Sequence, residues 1–287
     1  MNSKKLTLKT IGYPRPLRDI KNPPAIYHSG ADLNELLSRP AVAIVGTRRM
    51  TPYGRQITER FARELAEQGV VIISGLAYGV DITAHRTALE YGGLCIAVLP
   101  SPLDNILPAN HRRVAQRIVD QGGALVSEYA PGTDPQKQYF IARNRLMSGL
   151  AKAVLITEAG AGSGARYTAT YAEQQGRPVF VVPGNVTSPA SVGVNSLLRA
   201  DKAGAVLEPK DMLQELNIHF HKTHHRRVKG RNVPEQTLLD LMLKGVTAGE
   251  ELIDKSGLEV SLFNQTLTML EIAGKVKPLG ANHWSIP

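Results

Sequence analysis

Seven short apolar runs recur between residues 41 and 208, each too short for a helix and rich in Val, Ile and Leu. They read "AVAIVG", "VVIISG", "LCIAVLP", "ALVSE", "AVLITEAG", "PVFVVPG" and "AVLE". Helical patterns separate most of them, over Tyr53–Gln68, Ile82–Tyr91, Pro108–Gln121, Ala165–Gln175 and Gly193–Ala200. Because strands without a polar face must be covered on both sides, the alternation predicts a doubly wound, mostly parallel α/β sheet.

Composition divides the chain into four parts. Residues 1–40 are proline-rich and too short for a domain, so we expect an arm packed along the sheet. The sheet domain covers residues 41–212, and a basic, histidine-rich linker covers residues 213–233. Its histidines, His219, His221, His224 and His225, lie in one tract without a second ligand group, so no metal site is predicted.

Residues 234–287 predict a small winged-helix domain. Helical patterns cover Gln236–Leu243 and Val260–Ala273, with a second helix between them that has Thr247 as its N-cap and Glu250 completing a capping box. The terminal "KVKPLGANHWSIP" predicts a hairpin. Since the third helix has no Lys or Arg, it lacks cations for phosphates, which favours protein contact over duplex DNA reading.

Charge is unevenly distributed along the chain. The net charge is +9, but residues 233–287 hold four lysines against seven carboxylates, which leaves about +12 on the first 232 residues. A basic body suits a polyanionic partner, and a generally basic proteome is the alternative explanation. No apolar run resembles a signal peptide or a membrane span, and Cys95 alone can form no intrachain disulfide, so we expect a soluble, cytoplasmic protein without membrane contact.

The first strand-to-helix turn predicts an anion site. The sequence contains no Walker A, HExxH or GxSxG motif, and "VGTRRMTPYG" stands where a dinucleotide-binding fold has G-x-G-x-x-G. Gly46, Thr47 and Arg48 directly precede a helix, where they offer a close backbone approach, a hydroxyl and a guanidinium. An anion is the natural ligand of such a turn.

Two further elements resemble phosphate binders. Gly160, Gly162, Ser163 and Gly164 offer consecutive backbone N–H groups before a helix, which is typical of an anion nest. Arg143 and Arg145, in the apolar run "YFIARNRLMSGL", are expected to face phosphates, with a buried ion pair to Glu128 or Glu158 as the alternative. Asn144 between them is expected to orient a loop.

The residues around these elements allow several roles. Lys137, Tyr139 and Phe140 combine cation and aromatic ring, as in proteins that hold unpaired bases, although Phe140 suits a core equally well. Gly75 marks the turn after the second strand and is included among the candidate binding residues. Asp81 is expected to cap the following helix, and His85 to be a core residue or a pocket wall.

The blocks "VAIVGTRRMTPYGRQITERFARELAEQGVVIISGLAYGVDITAHRTALEYGGLCIAVLP", "FIARNRLMSGLAKAVLITEAG", "SGARYTATYAEQQGRPVFVVPGN" and "GVNSLL" resemble the DprA (Smf) family, the DNA-processing proteins of natural transformation. The resemblance runs in order through residues 41–208. It implies an extended Rossmann-like fold that binds single-stranded DNA without sequence preference, forms a homodimer, protects incoming strands and loads a RecA-type recombinase without catalysis or cofactor. The family's phosphate-binding residues then fall on Gly46, Arg48, Arg143, Asn144, Arg145, Ser163 and Gly164, with Lys137 and Phe140 alongside.

One enzymatic alternative uses a related sheet. Nucleotide phosphoribohydrolases carry a catalytic glutamate just after a "PGGxGT" turn. Here no carboxylate follows Gly164 before Glu173, so the first helical turns lack the acid that such a reaction needs.

Overall fold

The structure is a computed structural model that describes residues 3–218, 230–243, 245–280 and 282–286. The chain divides into two compact units, Met1–His221 and Lys222–Pro287. The linker histidines named above, at positions 219, 221, 224 and 225, lie outside the described residues.

A single sheet organises the first unit. Its described strands are β1 Lys4–Leu6, β2 Ile26–Gly30, β3 Ala41–Val45, β4 Val71–Ser74, β5 Cys95–Leu99, β6 Ala124–Ser127, β7 Ala153–Ile156, β8 Val179–Val181 and β9 Gly204–Ala205. They lie in the order β1-β2-β6-β5-β4-β3-β7-β8-β9, and the seven strands from β6 to β9 run parallel. The mostly parallel, doubly wound sheet is therefore confirmed.

Helices cover both faces of the sheet. They are α1 Leu33–Leu36, α2 Pro52–Glu67, α3 Val80–Glu90, α4 Arg112–Asp120, α5 Tyr139–Ala142, α6 Asn144–Leu150, α7 Ala165–Gln174, α8 Val192–Arg199 and α9 Pro209–Glu215. Alternate residues of β3 enter separate cores, Ala43 and Val45 on one face and Val42 and Ile44 on the other. This two-sided burial is why the strands read as continuous apolar runs.

The amino-terminal arm does more than pack along the sheet. β2 pairs antiparallel with β6, and β1 pairs antiparallel with β2. The arm thus covers the edge of β6, whose N–H and C=O groups would otherwise lie unpaired. Its Leu17 and Ile20 also approach Gly149 of α6, at 2.9 and 3.1 Å from where a Cβ would stand. The arm therefore helps to hold α6 in place.

The second unit contains the expected three helices and hairpin. They are α10 Val233–Leu243, α11 Gly249–Ser256, α12 Val260–Ile272, β10 Lys277–Gly280 and β11 His283–Ser285. The prediction of Thr247 as N-cap is wrong, because α11 starts after Ala248 and has no side-chain cap. The Thr247 carbonyl instead accepts a hydrogen bond from Trp284 N (2.9 Å), and Ala248 bridges to His283, so the hairpin keeps this stretch extended.

Among the described residues, each helix is either too short or too polar to cross a bilayer.

Candidate functional site

The candidate residues collect at one edge of the sheet. Successive strands from β3 are added on one side as β4, β5 and β6, and then on the other side as β7, β8 and β9. In such sheets the carboxyl ends of the two central strands, here β3 and β7, open a crevice where ligands bind. A cleft of about 480 Å³, hereafter the carboxyl-edge cleft, lies between the loops that follow these two strands.

The loop after β3 forms one wall through Gly46, Thr47, Arg48 and Arg49. A Cβ at Gly46 would stand 2.5 Å from Val80 Cγ2 and 2.7 Å from the Glu158 carbonyl, so only glycine fits there. Thr47 N donates to the Glu158 carbonyl (2.8 Å), and the Thr47 carbonyl accepts from Val80 N (3.1 Å). These bonds fix the loop between β7 and α3 and leave Arg48 exposed.

Glu158 does not pair with Arg143, contrary to one alternative considered from the sequence. It is only 2% exposed, and its two carboxylate oxygens accept hydrogen bonds from Thr51, Oε2 from the N–H (2.8 Å) and Oε1 from the hydroxyl (2.5 Å). Thr51 is in turn the N-cap of α2. A carboxylate at a helix amino terminus is stabilised by the helix dipole, so Glu158 anchors α2 to the end of β7.

Arg143 lies at the floor of the carboxyl-edge cleft and is 3% exposed. Its Nη1 donates to the carbonyls of Gly75 (2.7 Å) and Val98, at the ends of β4 and β5, and its Nε donates to Asn144 Oδ1 (3.2 Å). Nη2 has no hydrogen bond within the residues described. Burial lowers the pKa of Arg143 to about 10, while Asp81 opposes the shift, so the guanidinium keeps its charge at neutral pH.

Gly75 supports Arg143 and does not line the cleft. A Cβ at this position would overlap the Arg143 guanidinium. Gly75 therefore provides the space that the Arg143 guanidinium occupies, whereas the sequence suggested that Gly75 binds the ligand directly.

Arg145 takes the alternative role proposed for it. Its Nη2 forms an ion pair with Glu128 Oε1 at 2.5 Å, and Nη1 donates to the Asn22 carbonyl (3.3 Å). It thus ties the amino-terminal arm to the end of β6 and lies outside the carboxyl-edge cleft. The two arginines are two residues apart at the start of α6, a spacing that places their side chains on different sides of the helix.

The loop after β7 forms the opposite wall. Asn144 Nδ2 donates to the Gly164 carbonyl (3.3 Å), which orients this loop as expected. Ser163 N donates to the Gly160 carbonyl (3.1 Å), and Ser163 Oγ accepts from Ala165 N (3.3 Å). The N–H groups of Gly162 and Gly164 make no hydrogen bond inside the described part of the chain, so they remain available to an anion beside α7.

The aromatic ring of Phe140 lines the cleft, whereas the neighbouring Tyr139 does not. The Arg48 guanidinium carbon lies 5.0 Å from the centre of the half-buried Phe140 ring, a cation–π contact. Tyr139 stacks on Tyr129 with ring centres 3.8 Å apart. Lys137 is exposed on the same segment but does not line the cleft.

Nine of the twelve candidate residues thus line one cleft: Gly46, Thr47, Arg48, Phe140, Arg143, Asn144, Gly162, Ser163 and Gly164. Gly75, Lys137 and Arg145 do not. The sequence reasoning missed Arg49, Met147 and Thr168, which line it too. Arg49 was detectable as the neighbour of Arg48, whereas Met147 and Thr168 resemble ordinary helical core residues.

Asp81 and His85 lie on α3, where Asp81 lines the cleft and His85 does not. Asp81 is not the N-cap, which is Gly79; its Oδ2 accepts from Gly75 N (3.1 Å) and so holds the turn after β4. Burial raises the pKa of Asp81 above its usual range, and Arg143 opposes that rise. His85 is fully buried, in agreement with the core alternative, and burial lowers its pKa to about 3.

Comparison with known proteins connects this arrangement with a family. The family model of DNA recombination-mediator protein A matches residues 4–217, and that of the DprA winged helix domain matches residues 226–282. The chain belongs to the DprA/Smf family. It is 43% identical over 182 residues to protein Smf of Escherichia coli, which covers 63% of this chain and 48% of that protein. The DNA processing protein DprA of Bacillus subtilis is 35% identical over 204 residues, with 71% and 68% covered.

Solved structures of DprA proteins have the same fold. DNA processing protein A of Helicobacter pylori, described for its single-stranded DNA binding mode, superposes with a TM-score of 0.68 at 37% identity, covering 77% of this chain and 98% of that one. DprA of Streptococcus pneumoniae gives 0.69 at 35% identity, covering 76% and 75%. The match spans about half the length of the Smf protein of E. coli, and 43% of a DprA protein of Mycobacterium tuberculosis.

Proposed function

We propose that this chain binds single-stranded DNA without sequence preference in the carboxyl-edge cleft. The observation that carries the proposal is the convergence of Arg48, Arg143 and the free N–H groups of Gly162 and Gly164 on one cleft. Guanidinium groups and naked amides are donors that match phosphate oxygens, and they carry no information about base identity.

The Arg48–Phe140 pair favours an unpaired strand over a duplex. A ring beside a cation can stack on a base while the charge meets the backbone, and every base has a face to stack. The Helicobacter pylori relative, described with single-stranded DNA, supports the same ligand.

The carboxylates near the cleft favour binding over hydrolysis. Glu158 is engaged by Thr51 through both oxygens, and Asp81 Oδ2 accepts a hydrogen bond from the Gly75 amide (3.1 Å). Each therefore holds a loop of the cleft, whereas a general acid or base must be able to reach the substrate.

A strand held by its phosphates would be protected and could be passed to a RecA-type recombinase, with two copies of the chain acting as a homodimer. The winged-helix unit suits a protein contact, since α12 exposes Leu262, Met269 and Ile272 and carries no Lys or Arg. These roles rest on the family resemblance and on the cleft.

Fluorescence anisotropy with labelled oligo-dT at several salt concentrations tests the binding role. Single-strand affinity should fall with a log–log slope of about −0.7 per phosphate contacted, and Arg48→Ala should reduce the slope by about 0.7. Phe140→Ala should weaken binding by about 1–3 kcal/mol per lost base stack and leave the slope unchanged. Matched duplex should bind more weakly.

Lys202→Gln is the matched charge control, because Lys202 is exposed and pairs with Glu173 at 3.2 Å, away from the cleft. Salt-independent binding, or normal affinity in both Arg48→Ala and Phe140→Ala, would refute the proposed function.

A further inference from the structure

A group of cations lies at the edge of the sheet opposite to the carboxyl-edge cleft. Arg39 precedes β3, Lys152 precedes β7 and Arg177 precedes β8. Because these strands are parallel, the residues before them meet at the amino-terminal edge. The amino-terminal arm adds Arg15 and Arg18 there, and we name these five residues the amino-edge cluster.

The residues of the amino-edge cluster line two adjoining cavities. One, of about 300 Å³, is lined by Arg15, Arg39, Lys152 and Arg177. The other, of about 550 Å³, is lined by Arg15 and Arg18. Both are lined by Asp19, which is the one carboxylate residue that they contain. Five cations thus surround a single potential counter-charge.

The cations of the cluster are not neutralised by the protein. Across the described ranges, none of them forms an ion pair within 4.0 Å. Arg18 donates to the Leu8 carbonyl (3.2 Å) and lies 5.7 Å from the centre of the Tyr13 ring. Arg177 Nε is buried and has no hydrogen-bond partner there. A buried, unpartnered donor is costly, and an anion in the cavity would relieve both this cost and the mutual repulsion.

We propose that the amino-edge cluster binds phosphate groups of a second segment of the same single-stranded DNA. The two cavities share Arg15 and Asp19, so the five cations form one continuous band and not two separate pockets. A phosphodiester backbone provides regularly spaced charges for such a band. The fully exposed Ile11 at the rim offers an apolar surface beside the strand. The inference rests on the proposed function and adds a binding site remote from the cleft.

The experiment compares a short and a long strand. Oligo-dT of about six nucleotides falls within the range of one binding site, and about thirty nucleotides exceeds it. For the double variant Arg39→Gln/Lys152→Gln we expect the salt slope to fall by about 1.4 with the long strand, at 0.7 per contact, and to stay unchanged with the short one. Arg48→Ala should instead lower the slope with the short strand.

Lys202→Gln/Lys210→Gln is the control, since it removes the same charge from two exposed lysines that pair with Glu173 and Glu208. An unchanged long-strand slope in Arg39→Gln/Lys152→Gln, or a change equal to that of the control, overturns the proposal. If the short strand does not bind the unaltered protein, the proposed function itself has failed, which is a separate outcome.

A fluorophore on Ser38→Cys, an exposed position next to Arg39, leaves the five cations in place and reports on binding at the cluster. The native Cys95 is buried and should not react with the label. We expect a signal change with the long strand that an excess of free pyrophosphate or ATP does not reproduce. A response to pyrophosphate or ATP without one to the strand would overturn the assignment to DNA.

Discussion

Replacing Gly75 by alanine should disrupt the carboxyl-edge cleft without removing any of its polar groups. The added Cβ would overlap the Arg143 guanidinium, which is enclosed by the ends of β4 and β5. Arg143 must then move, and its hydrogen bonds to the Gly75 and Val98 carbonyls are weakened or lost. A hydrogen bond to a charged group contributes about 1.5–3 kcal/mol, and overpacking costs about 1–3 kcal/mol. If one of these hydrogen bonds is lost, we expect a decrease of about 2.5–6 kcal/mol in the free energy of unfolding, together with weaker binding of oligo-dT.

Urea unfolding of a double-mutant cycle measures this effect. Gly75→Ala should cost much less in an Arg143→Ala background, where the guanidinium is gone, so the coupling energy should reach about 1–3 kcal/mol. Gly162→Ala is the matched control: it places the same methyl group in the same cleft, but nothing lies within 4 Å of it and its φ is not positive. Its effect on stability should stay within about 0.5 kcal/mol. If Gly75→Ala lowered the free energy of unfolding equally in the wild-type and Arg143→Ala backgrounds, the Arg143 guanidinium would not occupy the space beside Gly75.

Three other changes test the surrounding groups. Glu158→Gln should cost about 1–3 kcal/mol in urea unfolding, because one carboxylate oxygen that accepts from Thr51 becomes a donor; a neutral result would contradict the anchoring role. Arg145→Met should lower the free energy of unfolding by about 1 kcal/mol or less and leave oligo-dT affinity unchanged, because Arg145 pairs with Glu128 outside the cleft. A weaker salt dependence of oligo-dT binding in this variant would show that Arg145 contacts the strand. The pKa of His85 is about 3 in the folded protein, against 6.5 for an unperturbed histidine, so below pH 6.5 the unfolded chain binds a proton that the folded chain does not. The free energy of unfolding should therefore fall as the pH drops through 6.5, by up to about 1.4 kcal/mol per pH unit. His85→Leu should remove the contribution of His85 to the pH dependence of the free energy of unfolding between pH 7 and 5. An unchanged pH dependence in this variant would contradict the assignment to His85.

The local elements of the first unit followed closely from the sequence. The predicted helix Tyr53–Gln68 is observed as Pro52–Glu67, and Ala165–Gln175 as Ala165–Gln174. Strands buried on both faces leave unbroken apolar runs, and such runs are recognisable without a partner. The weakest strand prediction was "AVLE", where only Gly204–Ala205 pairs, at the edge of the sheet.

The amino-terminal arm and the cap of α11 were harder to predict because tertiary contacts determine them. β2 is a strand because it pairs with the edge of β6. Ala248 replaces Thr247 as the N-cap of α11 because the hairpin pairs with both residues and keeps them extended. Neither partner is adjacent in sequence, so local patterns contain no sign of them.

The sequence by itself determined the sheet class, the approximate positions of the helices and the glycine-rich turns, because periodicity and backbone sterics act over a few neighbouring residues. It also brought the correct residue types to the carboxyl edge of the sheet. Only the tertiary structure distinguished Arg143, buried at the cleft floor over Gly75, from Arg145, paired with Glu128 outside it. The cost of burying a charge depends on which carbonyls, carboxylates and open space surround it, and those surroundings come from segments far apart in the chain.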